Sequence, residues 1–441
     1  MSIFKAYDIR GVYPNEIDED IVYKIGAAFT RIFKVKNIFV GYDMRVSSPK
    51  LFAALTRGIA DCGINVTDCG MVSTPFFYYI LGSQNAEAGI MITASHNPKQ
   101  YNGCKMCFGG TNPVNYATGL SKIESELNRE IKLAGKRGFI SKRNFMDDYI
   151  KFLLKFTEGV EGFKIVADAG NGMCGIETRK VFDKLNCKLI PMYFDPDGTF
   201  PNHEANPLKP ENMKALQERV KLEKADIGIA FDGDGDRVMF VDENAEIIPS
   251  DLITAIIAQS FLKKEKGAVI AYDLRSSWAV KETIESNGGK ALMCRVGHSF
   301  IKQQMRENNV IFAGELSGHM YFKDSYIAEN SLLAAFKIMQ LMKSEKKKLS
   351  ELIKPLKKYF SSGEINFEVK EKEGKIREIE EIYSKGAANI FKLDGLSIEY
   401  NDWWFNVRPS NTEPVLRLII EAKTKELMEQ KKDEISRIIK L

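Results

Sequence analysis

Short apolar runs alternate along the chain with stretches of helical spacing. Residues 37–41 (NIFVG) read as a buried strand; Ser47 or Ser48 then caps, and Pro49 opens, an amphipathic helix that stops near Gly63. Further strands are read at 64–67, 89–93, 164–168, 226–231, 268–272 and 310–313, with helices at 176–186, 211–225, 276–287 and 328–343. Such alternation predicts α/β layers with largely parallel pairing.

A weak internal repeat divides this region. GYDMRVSSP at 41–49 and AYDLRSSW at 271–278 share a strand, an Asp, one residue, an Arg and then a Ser pair opening a helix; VADAGNGM at 166–173 shares the strand and the Asp. The expected organisation is three similar mixed α/β domains over 1–143, 144–247 and 248–360. Beyond that the pattern changes. A strand, a helix at 371–385, a strand-rich stretch through Trp403 and Trp404, and a final helix from Thr424 predict a smaller α+β domain over 361–441.

Composition narrows the function classes. At 441 residues the chain is too long for a single core. A net charge of +4 is nearly neutral over this length, so nucleic acid is not an expected partner, and the Lys-rich run at 343–348 reads as solvated helix surface. No apolar run approaches the ~18 residues of a membrane span, and Lys5, Asp8 and Arg10 interrupt the start where a signal peptide would be apolar. Neither membrane nor secretion is expected. Seven scattered cysteines fit a reducing cytoplasm. Cys104 and Cys107 match C-x-x-C, but one such pair cannot complete a structural zinc site.

The most specific stretch is FDGDGDR at 231–237. Asp232, Asp234 and Asp236 recur at every second residue, spaced by glycines that let the chain fold around a point. Three carboxylates so close repel one another without a cation, and hard oxygen ligands suit Mg²⁺, which sits about 2.1 Å from each oxygen. Three protein ligands leave coordination sites open for a phosphate. Glu243 falls at the twelfth position of a calcium EF-hand, but the sixth position is Arg237 rather than Gly and the flanks are strands. AGNGMCG at 169–175 fits the dinucleotide fingerprint through Gly170, Gly172 and Gly175, with Asp195 downstream, so an NAD-dependent oxidoreductase stays open as an alternative. Against it, Asp168 would face the pyrophosphate.

Three loops carry further polar chemistry. MITASHNPKQYNG at 91–103 sets Ser95 at the mouth of a loop beside His96, with Pro98 keeping the chain out of helix. RPSNTEP at 408–414 brings together Arg408, Ser410, Asn411 and Thr412, a fork and three short donors suited to phosphate, or a plain turn between strands. GELSGH at 314–319 places Glu315, Ser317 and His319 on alternate positions, which points them to one side. RVGHS at 295–299 puts His298 at a helix start, where capping is the plain reading.

Together these residues resemble the α-D-phosphohexomutase superfamily, phosphomannomutase/phosphoglucomutase branch. FKAYDIRG at 4–11, TASHNP, FDGDGDR, GELSGH and RPSNTEP stand in the family's order along the whole chain, as does PDGTFPNHEANPLKPEN at 196–212. The resemblance implies four domains around a central cleft, and reversible phosphoryl transfer between the 1- and 6-positions of mannose or glucose phosphates. It makes Ser95 the phosphoryl carrier and, with Asp232, Asp234 and Asp236, a ligand of one Mg²⁺, with hexose 1,6-bisphosphate as intermediate and activator. By the same resemblance Glu315 and Ser317 hold sugar hydroxyls, and Arg408, Ser410, Asn411 and Thr412 anchor the distal phosphate. His319, Lys105, Arg10 and Arg237 lie near the transferring group, and Tyr7, Asn97, His96 and His298 line the cleft. Arg275 stands where Lys is expected in the closest relatives. The expected partners are hexose phosphates alone, the expected state a monomer or homodimer, and phosphoglucosamine mutase is the alternative within the superfamily.

Overall fold

Three sheets of the computed structural model, which describes residues 2–410 and 415–440, share one topology. In the first, Asn65–Met71, Asn37–Tyr42 and Ala88–Ile92 run parallel, with Ile140–Lys142 beside Asn65–Met71, and Tyr101–Phe108 and Ile9–Val12 continue antiparallel. In the second, Lys188–Met192, Lys164–Asp168 and Ile227–Phe231 are parallel, then Val238–Val241 and Ile247–Ile248 antiparallel. The third repeats this with Lys290–Cys294, Val269–Asp273 and Phe312–Gly314, then Met320–Phe322 and Ala328–Glu329. Pairing is therefore mixed rather than largely parallel. In each sheet a short loop turns the last parallel strand back beside itself, whereas keeping direction would have required a long crossover.

The repeat seen in the sequence follows this symmetry. Asp168 and Asp273 end, and Asp43 directly follows, the equivalent middle strands. In each, Oδ1 accepts the backbone N–H two residues on, at 3.0 Å from Arg45, 2.8 Å from Gly170 and 2.8 Å from Arg275. The fourth sheet is antiparallel throughout, with Val415–Ala422 at its centre and the helices Lys372–Tyr383 and Lys425–Lys440 packed on it through Ile379, Met428 and Ile435.

The first three units share one core, and each keeps a smaller one of its own around Phe29, Leu216 and Ile301 respectively. One buried cluster runs from Phe76 and Tyr149 through Ile165 and Phe231 to Ile270 and Phe336, whereas the C-terminal sheet has its own. Phe76 stacks on Tyr149 with ring centroids 4.5 Å apart and planes within 4°; burying one such side chain is worth about 1.5–3 kcal/mol. Among the described residues, no helix is long and apolar enough to cross a membrane.

Two local expectations are corrected. Neither Ser47 nor Ser48 caps the helix Ser48–Asp61 with its side chain. Ser48 Oγ instead donates to Asp43 Oδ1 at 2.6 Å, and both hydroxyls accept from Asn102 Nδ2. The helix read at 328–343 is Ser331–Glu345, because Ala328–Glu329 is taken as an edge strand and Asn330 caps, accepting from the Leu333 N–H.

The loops at the three reversals, 93–100, 232–237 and 315–319, meet one another. Thr93 Oγ1 donates to Asp234 Oδ2 at 3.4 Å, and the main chains of Arg237 and His319 form an antiparallel bridge. A Cβ added at Gly233 would lie 2.6 Å from the Ser95 carbonyl oxygen. Gly233→Ala is expected to lower stability by about 1–3 kcal/mol, measured as a drop in the urea midpoint; a variant as stable as the parent contradicts this close approach.

Candidate active site

Ser95 stands at the end of Ala88–Ile92 with φ at 51°, a left-handed conformation that costs a non-glycine residue roughly 1–3 kcal/mol and persists only where its surroundings hold it. Its N–H donates to Thr93 Oγ1 at 2.9 Å, and its own Oγ donates to Asp232 Oδ2 at 2.9 Å, with His96 Nδ1 3.1 Å away. The hydroxyl and the acidic loop, 137 residues apart in sequence, are in direct contact.

Candidate ligand oxygens of Asp232, Asp234 and Asp236 all lie within 4.8 Å of one another, and all three residues are buried. Burial, and then the other two carboxylates, push the Asp232 carboxyl up to about 7. Lys105, reaching in from Tyr101–Phe108, pairs with Asp234 at 2.7 Å and also with Asp236, while Thr74 Oγ1 donates to Asp234 Oδ2 at 2.6 Å. Asp234 Oδ1 is buried with no hydrogen-bond partner. Crowded oxygens and an orphaned one fit a hard divalent cation. The EF-hand reading is excluded, since Glu243 accepts from Ser350 Oγ far along the chain and is not among the clustered carboxylates. Cys104 and Cys107 are buried free thiols.

Asp236 and Ser95 border a cavity of about 450 Å³ also lined by Tyr7, Arg10, Asn97, Lys105, Arg237, Arg275, His298, Glu315, Ser317 and His319. Arg10 pairs with Asp8 at 2.8 Å and donates to Asn97 Oδ1 at 2.6 Å. Residues 315–319 do share one side, but as a tight turn rather than an extended strand: the Gly318 N–H donates to Glu315 O at 2.9 Å. His319 Nδ1 sits 2.7 Å from Glu315 Oε2 and 2.9 Å from Ser317 Oγ, and Nε2 sits 3.2 Å from Asp236 Oδ1. Burial opposes charge on this ring, yet Asp236 and Glu315 raise it to about 9. His298 does not cap its helix. Gly297 is the N-cap residue, and both ring nitrogens of His298 are buried beside the cavity without a hydrogen bond, Nδ1 lying 3.8 Å from Glu329 Oε1.

Arg275 explains itself in place of the expected lysine. Its fork holds Asp273 through Nη2 at 2.7 Å and Nε at 3.1 Å, and Nη1 reaches both Glu364 oxygens at 3.4 Å. A lysine point charge could not span both acids in this way. Arg408 is buried and donates to Glu364 Oε1 at 2.5 Å; it does not line the cavity, where Arg417 represents the C-terminal unit. Ser410 ends the described part of that loop; Asn411 and Thr412 lie outside the described residues. The glycine-rich turn 169–175 is filled by protein. The Met173 N–H donates to Gly233 O at 2.9 Å, and a Cβ at Gly172 would lie 2.6 Å from the same oxygen, so the acidic loop 232–237 occupies the space a pyrophosphate would need.

Models of the four phosphoglucomutase/phosphomannomutase domains match in order: alpha/beta/alpha domain I at 1–134, domain II at 147–245, domain III at 249–359 and the C-terminal domain at 364–438. A phosphomannomutase of Methanocaldococcus jannaschii is 40% identical over 444 residues, covering 100% of this chain and 98% of its own. The chain belongs to the phosphoglucomutase/phosphomannomutase family. It is a phosphohexomutase. A phosphomannomutase of Vibrio cholerae is 36% identical over 456 residues, covering 100% of this chain and 98% of its own. The solved phosphoglucomutase/phosphomannomutase family protein of Burkholderia thailandensis superposes with a TM-score of 0.92 at 32% identity, covering 100% of this mutase and 97% of that chain.

Several residues of the mutase site escaped sequence reading. Thr74 holds Asp234 with an ordinary hydroxyl that carries no motif of its own, and Thr93, though part of TASHNP, accepts the Ser95 N–H in a role its identity did not announce. Arg45 was visible only as a member of the repeat. The buried His298 supports a spectroscopic expectation. Burial, and next the Lys302 ammonium, hold its ring well below the usual imidazole range, whereas His203, despite burial, is raised by Asp168 at 3.0 Å. In NMR titration His298 should stay neutral as pH falls from about 7 to about 5 while His203 charges. Because unfolded His298 takes up a proton below about 6.5 and the folded one does not, its contribution to stability falls as pH drops through that value. A normal titration of His298 contradicts this burial.

Proposed function

We propose that this mutase moves a phosphoryl group between the 1- and 6-positions of mannose or glucose phosphates through Ser95. The observation that carries the reading is the 2.9 Å contact between Ser95 Oγ and the Asp232 carboxylate inside a triad of buried acids. Asp232, Asp234 and Asp236, with an oxygen of Ser95, would hold one Mg²⁺, which when bound supplies charge neutralisation for the phosphoryl oxygens. Lys105, Arg10 and Arg237 add fixed positive charge on the cavity side of the triad.

In the first half-reaction the bond from phosphorus to Ser95 Oγ breaks as a bond from phosphorus to the free sugar hydroxyl forms, giving a hexose 1,6-bisphosphate. The proton that hydroxyl sheds balances the one Ser95 Oγ takes up, and Lys105 and His319 are the groups placed to relay it. Glu315 and Ser317 hold the sugar's hydroxyls. Arg408 and Ser410, with Asn411 and Thr412, anchor the phosphate that is not reacting. After the bisphosphate turns round, its other phosphate returns to Ser95. The unit boundaries fit divisions near 143, 247 and 360, and a reducing cytoplasm fits the seven free cysteines.

Ser95→Ala is expected to cut turnover to below about a thousandth, and the parent protein charged with hexose 1,6-bisphosphate should gain one phosphoryl mass that maps to Ser95. A Ser95→Ala variant that keeps its turnover overturns the mechanism. In side-by-side kinetics, mannose 1-phosphate and glucose 1-phosphate should have kcat/KM values within about tenfold of each other. Preference for glucosamine 1-phosphate would replace this substrate assignment by the phosphoglucosamine one.

A further inference from the structure

Arg45 has no place in the chemistry described so far, yet its side chain is wholly buried directly beneath the Ser95 loop. Its Nη2 donates to the carbonyl oxygens of Ser95 at 2.8 Å and Asn97 at 2.6 Å; its Nη1 donates to those of Pro98 at 2.8 Å and Tyr101 at 3.0 Å. Asp43 Oδ2 lies 3.3 Å from its Nε, and Asp43 is itself fixed by Ser48. The Phe200 ring covers the guanidinium at 5.4 Å, and Gly198 packs so close that a Cβ there would lie 2.6 Å from Arg45 Cα.

We propose that Arg45 is a positioning residue for phosphoryl transfer: one guanidinium sets the curvature of residues 95–101 and so fixes where Ser95 presents its hydroxyl, without meeting the substrate. The inference rests on Ser95 being the phosphoryl carrier. Four carbonyl dipoles aimed at one point repel each other unless a cation sits there, and a planar fork with several N–H groups can satisfy all four where an ammonium cannot. The same curvature holds Ser95 at its φ of 51°, a conformation that needs outside support.

The repeat strengthens the reading. In the third unit the equivalent Arg275 also lies beside the loop that ends the neighbouring strand, 3.5 Å from Glu315, but it opens to the cavity and reaches the C-terminal unit through Glu364. In the second unit the equivalent position is Gly170, and loop 232–237 is held by main-chain bonds instead. The turn position thus lays a guanidinium beside the reactive loop in the first and third units but not in the second, and of the two guanidinium groups only that of Arg45 is closed off from the cavity.

The test uses the full chain with Arg45→Lys and Asp43→Asn. Each protein is mixed with glucose 1,6-bisphosphate, quenched over a time course, and Ser95 phosphorylation is followed by intact mass, with steady-state kcat and KM measured in parallel. Arg45→Lys is expected to phosphorylate about 100-fold more slowly, with KM for the hexose phosphate within about twofold of the parent. Asp43→Asn, which keeps the four carbonyl contacts, should lose less. Phosphorylation of Arg45→Lys at the parent rate, or a loss expressed wholly in KM, overturns the proposal. So does an Arg45→Lys protein without native near-UV dichroism, which would assign Arg45 to folding alone. If the parent itself takes no phosphoryl group on Ser95, the reading of Ser95 falls first and the proposal with it.

Discussion

The cleft depends on keeping three carboxylates together out of water. Two like charges 4 Å apart repel by about 4 kcal/mol at an effective dielectric near 20, and here three share a site with almost no solvent. The fold meets this cost locally. Lys105 bridges two of the acids, Thr74 donates to one of them, and backbone N–H groups of Gly235 and Arg237 donate to Asp232. What these groups leave over is negative potential concentrated beside a single hydroxyl, the condition under which a divalent cation and a phosphoryl group are both welcome.

That concentration is assembled by repetition. Each α/β unit reverses its sheet at the same strand, and each reversal loop contributes one part: the hydroxyl, the acids, and the Glu315–Ser317–His319 turn. The three units, each with a core of its own, are also joined through one shared core, so the loops are set on a common frame. The C-terminal sheet has its own core and meets the frame through polar contacts such as Arg275 with Glu364 and the Val296 N–H with Asp394.

Much of this was legible in the chain. Alternating apolar runs gave the strands, and the Asp-x-Arg repeat marked equivalent strand ends before any sheet was known. The spacing of Asp232, Asp234 and Asp236 forced a shared point because glycines flank it. Other features could not be read. The direction of Tyr101–Phe108, Val238–Val241 and Met320–Phe322 depends on loop geometry rather than on apolar pattern, so the parallel expectation was too broad. Ser47, Ser48 and His298 looked like helix caps, and tertiary partners or burial claimed each of them. The dinucleotide fingerprint was real as a pattern but misleading as a site, since its glycines make room for Gly233 and Phe194 rather than for a ligand. Arg45 was undetectable as a support because its partners are carbonyl oxygens, which every residue has.

The most direct measurement is phosphorus-31 electron–nuclear double resonance on the phosphorylated protein loaded with manganese(II) as a paramagnetic proxy for Mg²⁺. A hyperfine coupling large enough for phosphate oxygen bound to the metal, lost when Asp232 is changed to Asn, is the expected result. Tight manganese binding that shows no coupling to phosphorus, or that is indifferent to Asp232, would separate the acids from the hydroxyl and contradict the arrangement described.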